Sequence, residues 1–333
     1  MKNDGHCAKG TYVITHDLGE RIQSLRLLGL KTPNADDPFF TELHTKIKER
    51  IASILPTIDV VTYGMNELVE EVWAKAIHLQ EKIQDAIVVS SCAEVANPRR
   101  GHVIEINRIA NKNGETIGFG PRPGNPSLSK QVSGIALMSN GNPVVLVEDG
   151  SFTGSTFECL LNQLKQKRVN VVAIVSGICF PDALSHLSGV FDGEIVVMKK
   201  VDKPYEWMPD HDFIPFAPNC GRVYGGSFGD EMLPYYTHEG LSYCFPYILP
   251  FGDPTKWASI PKEHACSFSL LCLREALKLF RMLDDLNGRY LKISDLMGST
   301  PRVSVPITIG NGGLPDGDAP ISSFLNEVCH EIV

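Results

Sequence analysis

The chain has 333 residues and a formal net charge of −8, with 43% hydrophobic and 21% charged residues. These values are typical of a globular protein with a sizeable core, and they argue against a broad cationic face for nucleic acid. No apolar stretch approaches the length of a membrane span, and the N-terminus MKNDGHCAKG lacks the apolar segment of a signal peptide. We therefore expect a cytoplasmic protein that binds neither nucleic acid nor membranes.

The sequence before residue 140 predicts helices that alternate with strands. Residues 37–55 and 65–83 place apolar side chains at helical spacing. Residues 86–89 form a short apolar run typical of a buried strand, and residues 102–106 predict the next one. The following segment, 107–134, is polar and rich in glycine and proline turn signals, which predicts a long loop that is either functional or mobile.

The most informative segment is VVLVEDGSFTGST, residues 144–156. Its four leading apolar residues predict a strand that is buried on both faces of a parallel sheet. Glu148 and Asp149 follow where that strand would emerge, at the edge where open α/β sheets bind ligands. Residues 150–156 offer backbone N–H groups and hydroxyls, an arrangement that suits a phosphate.

A helix and a second strand are expected directly after this segment. Phe157, Leu160 and Leu164 recur at the spacing of one buried helical face. Residues 169–176, VNVVAIVS, then form another apolar run rich in β-branched side chains. The order strand, loop, helix, strand predicts a βαβ crossover.

Two other phosphate-binding loops do not fit this segment. The Walker pattern requires four residues between its glycines and a lysine after the second, whereas Gly150 and Gly154 are separated by three and no lysine follows. The dinucleotide fingerprint places its acid about 20 residues after the glycines, whereas the two acids here precede the loop. Carboxylates accept hydrogen bonds from hydroxyls and repel phosphate, so the acids suit a sugar diol and the loop a phosphate. A ribose 5-phosphate satisfies both.

With its apolar strand, two acids, short loop and Thr-Gly-x-Thr, the segment resembles the phosphoribosyl-pyrophosphate (PRPP) binding motif of type I phosphoribosyltransferases. The resemblance implies an α/β fold in which a parallel sheet is flanked by helices and carries a hood and a C-terminal extension. Glu148 and Asp149 would be the catalytic pair that holds the ribose hydroxyls. Magnesium would lie near them, bound through the substrate and not by direct protein ligands. The loop around the 5-phosphate would consist of Gly150, Ser151, Phe152, Thr153, Gly154, Ser155 and Thr156.

The resemblance also implies a pyrophosphate site and a cover for the base. The pyrophosphate would contact Ser91, Cys92 and Ala93, which follow the first core strand, and a basic residue of a closing loop. Arg122 and Lys130 are the candidates in segment 107–134, with Arg99, Arg100 and Arg108 as further options. The hood would stack aromatic rings on the base, and Trp207 and Phe213 are the candidates. We interpret the adjacent Asp210, His211 and Asp212 as a polar surface turn.

Phe152 departs from one branch of the family. The 6-oxopurine enzymes carry an aspartate at this position, near the base nitrogen, and a phenyl ring cannot exchange a proton. Other branches have an apolar residue there, so the departure disfavours hypoxanthine or guanine without excluding transfer to another acceptor.

We divide the chain into an N-terminal helical segment (1–60), a phosphoribosyltransferase-like core with hood elements (61–230) and a C-terminal extension or second lobe (231–333). The expected reaction transfers the phosphoribosyl group of PRPP to a nitrogen nucleophile and releases pyrophosphate. The expected partners are PRPP, a small-molecule acceptor and a second copy of the chain in a homodimer. The alternative is a regulatory protein on the same fold that binds PRPP or a nucleotide without catalysis.

Overall fold

The structure is a computed structural model that describes residues 9–91, 101–236, 240–296, 303–310 and 316–332. Its strands are β1 (Thr11–His16), β2 (Asp59–Gly64), β3 (Ile87–Ser90), β4 (His102–Val103), β5 (Ile106–Ala110), β6 (Thr116–Pro121), β7 (Val144–Ser151), β8 (Val171–Cys179), β9 (Glu194–Lys200), β10 (Pro204–Pro209), β11 (Arg222–Phe228), β12 (Glu231–Pro234), β13 (Tyr243–Phe245) and β14 (Val305–Pro306). Its α-helices are α1 (Leu18–Gln23), α2 (Pro38–Ile54), α3 (Met65–Lys82), α4 (Leu128–Ser139), α5 (Ser155–Gln166), α6 (Pro181–Val190), α7 (Pro254–Trp257), α8 (Lys262–Asn287) and α9 (Ile321–Glu331). Short 3-10 helices cover Ser24–Leu28, Asp210–Phe213 and Ile293–Leu296.

A five-stranded parallel sheet in the order β4-β3-β7-β8-β9 forms the centre of the fold. Its middle strand β7 is buried on both faces, as predicted. Val144 and Leu146 pack with α5, whereas Val145 and Val147 pack with α3 on the opposite face. The helix–strand crossover from β7 through α5 to β8 is also confirmed.

A second sheet, in the order β10-β1-β2, is parallel and three-stranded. Its middle strand β1 comes from the segment that we expected to be helical, so residues 1–60 contribute a strand as well as α1 and α2. Because β1 and β10 are parallel neighbours, with Thr15 opposite Pro209, the residues that follow both strands emerge at the same edge.

The predicted long loop at 107–134 is wrong. The segment contains most of an antiparallel β5–β6 hairpin and the first half of α4. The turn signals are real, since Asn111 accepts hydrogen bonds from the backbone N–H groups of Asn113 and Glu115. The strand that follows, β6, contains glycines, which weaken the strand pattern in its sequence. A Cβ on Gly120 would lie 2.4 Å from the carbonyl oxygen of Met232, so glycine allows β12 to approach.

The predicted strand at 102–106 is divided between two sheets. His102–Val103 extends the five-stranded sheet, whereas Ile106 begins β5 in a six-stranded mixed sheet. In that sheet β14, β13, β11, β5 and β6 follow one another and β12 pairs with β11.

The two ends of the chain share one hydrophobic cluster. Leu43 of α2, Phe280 of α8 and Leu325 of α9 are buried in it together with Tyr12 of β1. The long helix α8 supplies much of this apolar surface. The described helices α8 and α9 therefore pack against the N-terminal segment through an extensive apolar contact. No helix among the described residues is long and apolar enough to cross a membrane.

Candidate functional site

A cleft opens at the carboxyl end of β7, next to the β10-β1-β2 sheet. All nine residues predicted around the ribose 5-phosphate, 148–156, line it, and so do Ser91, Arg122 and Trp207. The opposite wall is formed by side chains of the two other sheets and their connections: Arg21, Arg108, Glu206, His211, Asp212 and Tyr247. The sequence motif therefore lies in a concave site with charged groups of both signs around it.

Glu148 is the most unusual group in the cleft. Its side chain is only 9% exposed, and its Oε2 atom has no hydrogen-bond partner within the part of the chain that the structure describes. Burial, with the neighbouring Asp149 charge, raises the pKa of Glu148 well above its ordinary value, although Ser91, Arg108 and Arg122 act in the opposite direction. A buried carboxylate with an unpaired oxygen is costly to the fold unless a ligand supplies a donor or a cation.

The loop after Glu148 and Asp149 leaves donors at its end. Asp149 accepts a hydrogen bond from the N–H of Gly150 at 2.8 Å. Gly154 then adopts φ +84° and begins α5 without a side-chain cap. The first N–H groups of a helix have no acceptor within the helix. Together with the hydroxyls of Thr153 and Ser155, which lie 2.8 Å apart, they form a site suited to an anion.

Trp207 forms a wall of the cleft and rests against the backbone of β7. A Cβ on Gly150 would lie 2.6 Å from Cη2 of this indole, so glycine permits the contact. The indole Nε1 donates to the hydroxyl of Thr15 at 3.3 Å, which connects the three-stranded sheet to the motif strand. Trp207 therefore lies in the cleft, and its stacking on a base stays a prediction.

The prediction for Phe213 is wrong. This ring is fully buried and packs edge-to-face against Phe268 of α8, with ring centroids 5.0 Å apart. It belongs to the hydrophobic core and has no access to the cleft.

Replacing Gly150 with alanine is expected to destabilise the chain by about 1–3 kcal/mol, because the new methyl group overlaps the indole of Trp207. Urea unfolding of the variant measures this loss. Gly189→Ala on α6 is the matched control, since a Cβ there meets no atom within 4 Å and alanine favours helix. Equal stabilities of the two variants would contradict the close contact.

The basic candidates for the pyrophosphate are separated by the structure. Arg122 lines the cleft, where its Nε donates to the carbonyl of Ile106 at 3.2 Å and lies 3.4 Å from the Glu105 carboxylate. Arg108 also lines the cleft and has an exposed side chain. Lys130, in the first turn of α4, is exposed to solvent outside the cleft, so its prediction is wrong.

The predicted pyrophosphate loop after β3 is described only at its first residue. Ser91 is buried, and both its N–H and its hydroxyl donate to the carbonyl of Val147, at 3.0 and 3.3 Å. Cys92, Ala93, Arg99 and Arg100 lie outside the described residues.

Phe152 is 38% exposed at the cleft and contacts Phe180 edge-to-face, with centroids 4.8 Å apart. The turn between β7 and α5 therefore presents an apolar ring to the cleft at this position and no proton acceptor.

The interpretation of residues 210–212 as a surface turn is wrong. They begin a 3-10 helix and are almost completely buried. His211 lies between two carboxylates, with Nδ1 2.8 Å from Asp17 and Nε2 3.3 Å from Asp212. Asp17 also pairs with Arg21 of α1. Arg21, His211 and Asp212 reach the cleft, so this network forms part of its charged wall.

Sequence reasoning missed Asp17 and Arg21 entirely. The available signal was the apolar run before Asp17, residues 11–15, which predicts a strand ending in polar residues. That signal becomes informative only when β1 is known to lie beside β10.

The described fold is α/β, with sheets that are mainly parallel and flanked by helices. No protein-family model matches the chain, and no curated protein matches it. Similar solved structures include TT1426 from Thermus thermophilus, at 18% identity and a TM-score of 0.26 over 41% of this chain and 82% of that one. The AQ2163 protein from Aquifex aeolicus is 15% identical, with a TM-score of 0.29 over 52% of this chain and 85% of that one. These scores are too low to support an argument about function.

Proposed function

We propose that the chain is a type I phosphoribosyltransferase-like enzyme that binds PRPP and transfers its phosphoribosyl group to a nitrogen nucleophile. The observation that carries the proposal is the unpaired, buried Oε2 of Glu148 at the end of the central parallel strand, which has no partner among the described residues. A ribose hydroxyl supplies the donor that this oxygen lacks.

The remaining parts of the sugar phosphate match neighbouring groups. The second acid, Asp149, lies beside Glu148 at the cleft and provides acceptors for a vicinal diol. The 5-phosphate fits the Thr153–Thr156 turn and the uncapped N-terminus of α5. The spacing of acids and loop therefore selects a phosphorylated ribose over a free nucleoside.

The chemistry breaks the bond between the anomeric carbon and the pyrophosphate oxygen and forms a bond from that carbon to the acceptor nitrogen. Pyrophosphate leaves with the bonding electrons, and the nitrogen loses its proton to solvent or to the departing group. Arg108 and Arg122 lie in the cleft as cations that can stabilise the leaving charge. The carboxylates hold the ribose in place, so that positioning contributes much of the rate.

Magnesium fits this site, because the two acids of the motif lie together in the cleft and add negative charge beside the place of the ribose hydroxyls and pyrophosphate oxygens that this ion prefers as ligands. Glu148 and Asp149 would hold it indirectly, through the ribose hydroxyls. The ion would neutralise charge on the pyrophosphate.

Removing both acids tests the proposal. Glu148→Ala with Asp149→Ala is expected to abolish binding of PRPP and magnesium in calorimetric titration, while thermal unfolding shows an intact fold. Asp192→Ala with Glu194→Ala is the matched control, because both acids are exposed and lie outside the cleft. Undiminished affinity in the Glu148/Asp149 variant would refute the proposed site.

A second function is a regulatory protein that binds PRPP or a nucleotide without turnover. Two observations favour it: Phe152 occupies the position of the catalytic aspartate in one branch, and Lys130 does not reach the cleft. Pyrophosphate release across a panel of nucleobases and other nitrogen nucleophiles distinguishes the two functions. Binding of PRPP without release of pyrophosphate would favour the regulator.

A further inference from the structure

His16, His44 and Asp210 converge on one point behind the charged wall of the cleft. They come from the end of β1, from α2 and from the 3-10 helix that follows β10. The Nδ1 atoms of His44 and His16 lie 2.6 and 3.7 Å from Oδ2 of Asp210. All three ligand atoms lie within 4.8 Å of one another.

The three atoms are buried, and their polar contacts among the described residues are with one another. The 2.6 Å separation between Nδ1 of His44 and Oδ2 of Asp210 is an ion-pair contact when the imidazole is protonated. The imidazole rings lie with centroids 3.8 Å apart, tilted by 37°, and both present Nδ1 to the carboxylate. This arrangement brings two imidazole nitrogens and one carboxylate oxygen together, and each can donate a lone pair to a metal ion.

The carboxylate of Asp210 is held in a fixed orientation by its neighbours. It is fully buried, and its other oxygen, Oδ1, accepts hydrogen bonds from the backbone N–H groups of Asp17 and Leu18, both at 3.1 Å. Such outer contacts orient a ligand and leave the second oxygen for a metal.

We propose that His16, His44 and Asp210 bind a first-row divalent transition-metal ion, with zinc as the best match. Two ligand atoms about 2.1 Å from a metal are separated by about 3.0 to 3.4 Å in octahedral or tetrahedral geometry. The observed separations of 2.6 and 3.7 Å lie just below and just above this range, so metal binding requires small side-chain shifts. Imidazole is a preferred ligand of zinc and a poor one for magnesium. The partial exposure of both histidines, 20% and 19%, leaves room for a water as a further ligand.

The site has a structural role. It joins three elements that are remote in sequence, and Asp210 immediately precedes His211 and Asp212 in the wall of the cleft. Metal binding to the folded state alone stabilises it by mass action. The ion would therefore hold the cleft wall at His211 and Asp212 in place without entering the cleft.

The test uses the full chain, stripped of metal with a chelator and titrated with Co²⁺ as a spectroscopic substitute for zinc. The expected result is about one retained cobalt per chain, with visible d–d bands and no thiolate charge-transfer band, and a raised melting temperature. The absence of the charge-transfer band separates this site from adventitious binding to the nine cysteines.

His16→Ala, His44→Ala and the milder His44→Gln are expected to weaken cobalt binding by roughly tenfold or more. His78→Ala is the matched control, because His78 is an exposed residue of α3 outside the cluster. Glu148→Gln is expected to retain the ion, which keeps the outcome independent of the PRPP proposal. No binding by the unmodified chain, or equal binding by the His44 variants, would overturn the inference and leave the histidines as counter-ions of Asp210.

Discussion

Replacing Glu148 with glutamine is expected to make the folded chain more stable and, at the same time, to weaken its binding of PRPP. The glutamine removes a buried charge whose Oε2 atom has no hydrogen-bond partner among the described residues. We expect a gain on the order of 1 kcal/mol in the free energy of unfolding at neutral pH. Each hydrogen bond from a ribose hydroxyl to the charged carboxylate contributes about 1.5–3 kcal/mol, so binding falls by roughly tenfold or more.

The stability gain depends on pH in a defined direction. Burial raises the pKa of Glu148 in the folded state. The folded chain therefore binds a proton on Glu148 more tightly than the unfolded chain does. The contribution of this protonation to folding stability is complete below the unfolded pKa, about 4.3. That contribution is lost as pH rises towards the folded pKa. Glu148→Gln should therefore gain stability relative to the unmodified chain as pH rises above about 4.3.

Chemical unfolding at a series of pH values measures the stability, and calorimetric titration with PRPP and magnesium measures the affinity. The control is Glu194→Gln, an exposed acid at the start of β9, which should change stability by less than about 0.5 kcal/mol. A variant that loses stability, or one that keeps full affinity, would contradict the assigned role of Glu148.

Replacing Asp210 with alanine is expected to reduce the free energy of unfolding by about 3–5 kcal/mol. The change leaves the N–H groups of Asp17 and Leu18 without their acceptor and removes the carboxylate that faces His16 and His44. Urea unfolding in buffer with chelator measures this loss without a contribution from bound metal.

Asp210→Asn keeps an acceptor for the two N–H groups and should lose less stability than the alanine variant, which keeps the test informative if the alanine variant fails to fold. Asp192→Ala, at an exposed position, is the control and should be close to neutral. A loss below about 1 kcal/mol for Asp210→Ala would show that the buried contacts contribute little.

The parts of the site that follow local rules were predictable. The apolar run of β7, the small-residue turn and the helical spacing of Phe157, Leu160 and Leu164 all lie within one short segment. These local patterns predict one arrangement, because an amphipathic helix that follows a buried strand must cross back over the sheet to pack on it. The grouping of residues 148–156 at the carboxyl end of β7 follows from that unit, whereas the rest of the cleft comes from the other two sheets.

The aromatic candidates show where local reasoning ends. Trp207 and Phe213 are six positions apart and both aromatic. Trp207 lines the cleft, whereas Phe213 is buried against Phe268. Their difference depends on α8, which lies far along the chain. Similarly, the hairpin β5–β6 depends on Gly120 lying against Met232 of β12.

The sequence by itself determined a βαβ unit with two acids and a small-residue turn after its first strand, and the apolar Phe152 within that turn, because these properties depend on contiguous residues. Only the tertiary structure decided that Asp210, His211 and Asp212 are buried. Their partner Asp17 is 193 residues away from Asp210, and pairing across that distance is set by the neighbouring β1 and β10 strands. Whether a charged residue is buried depends on the residues that surround it in the fold, so no local sequence pattern predicts it.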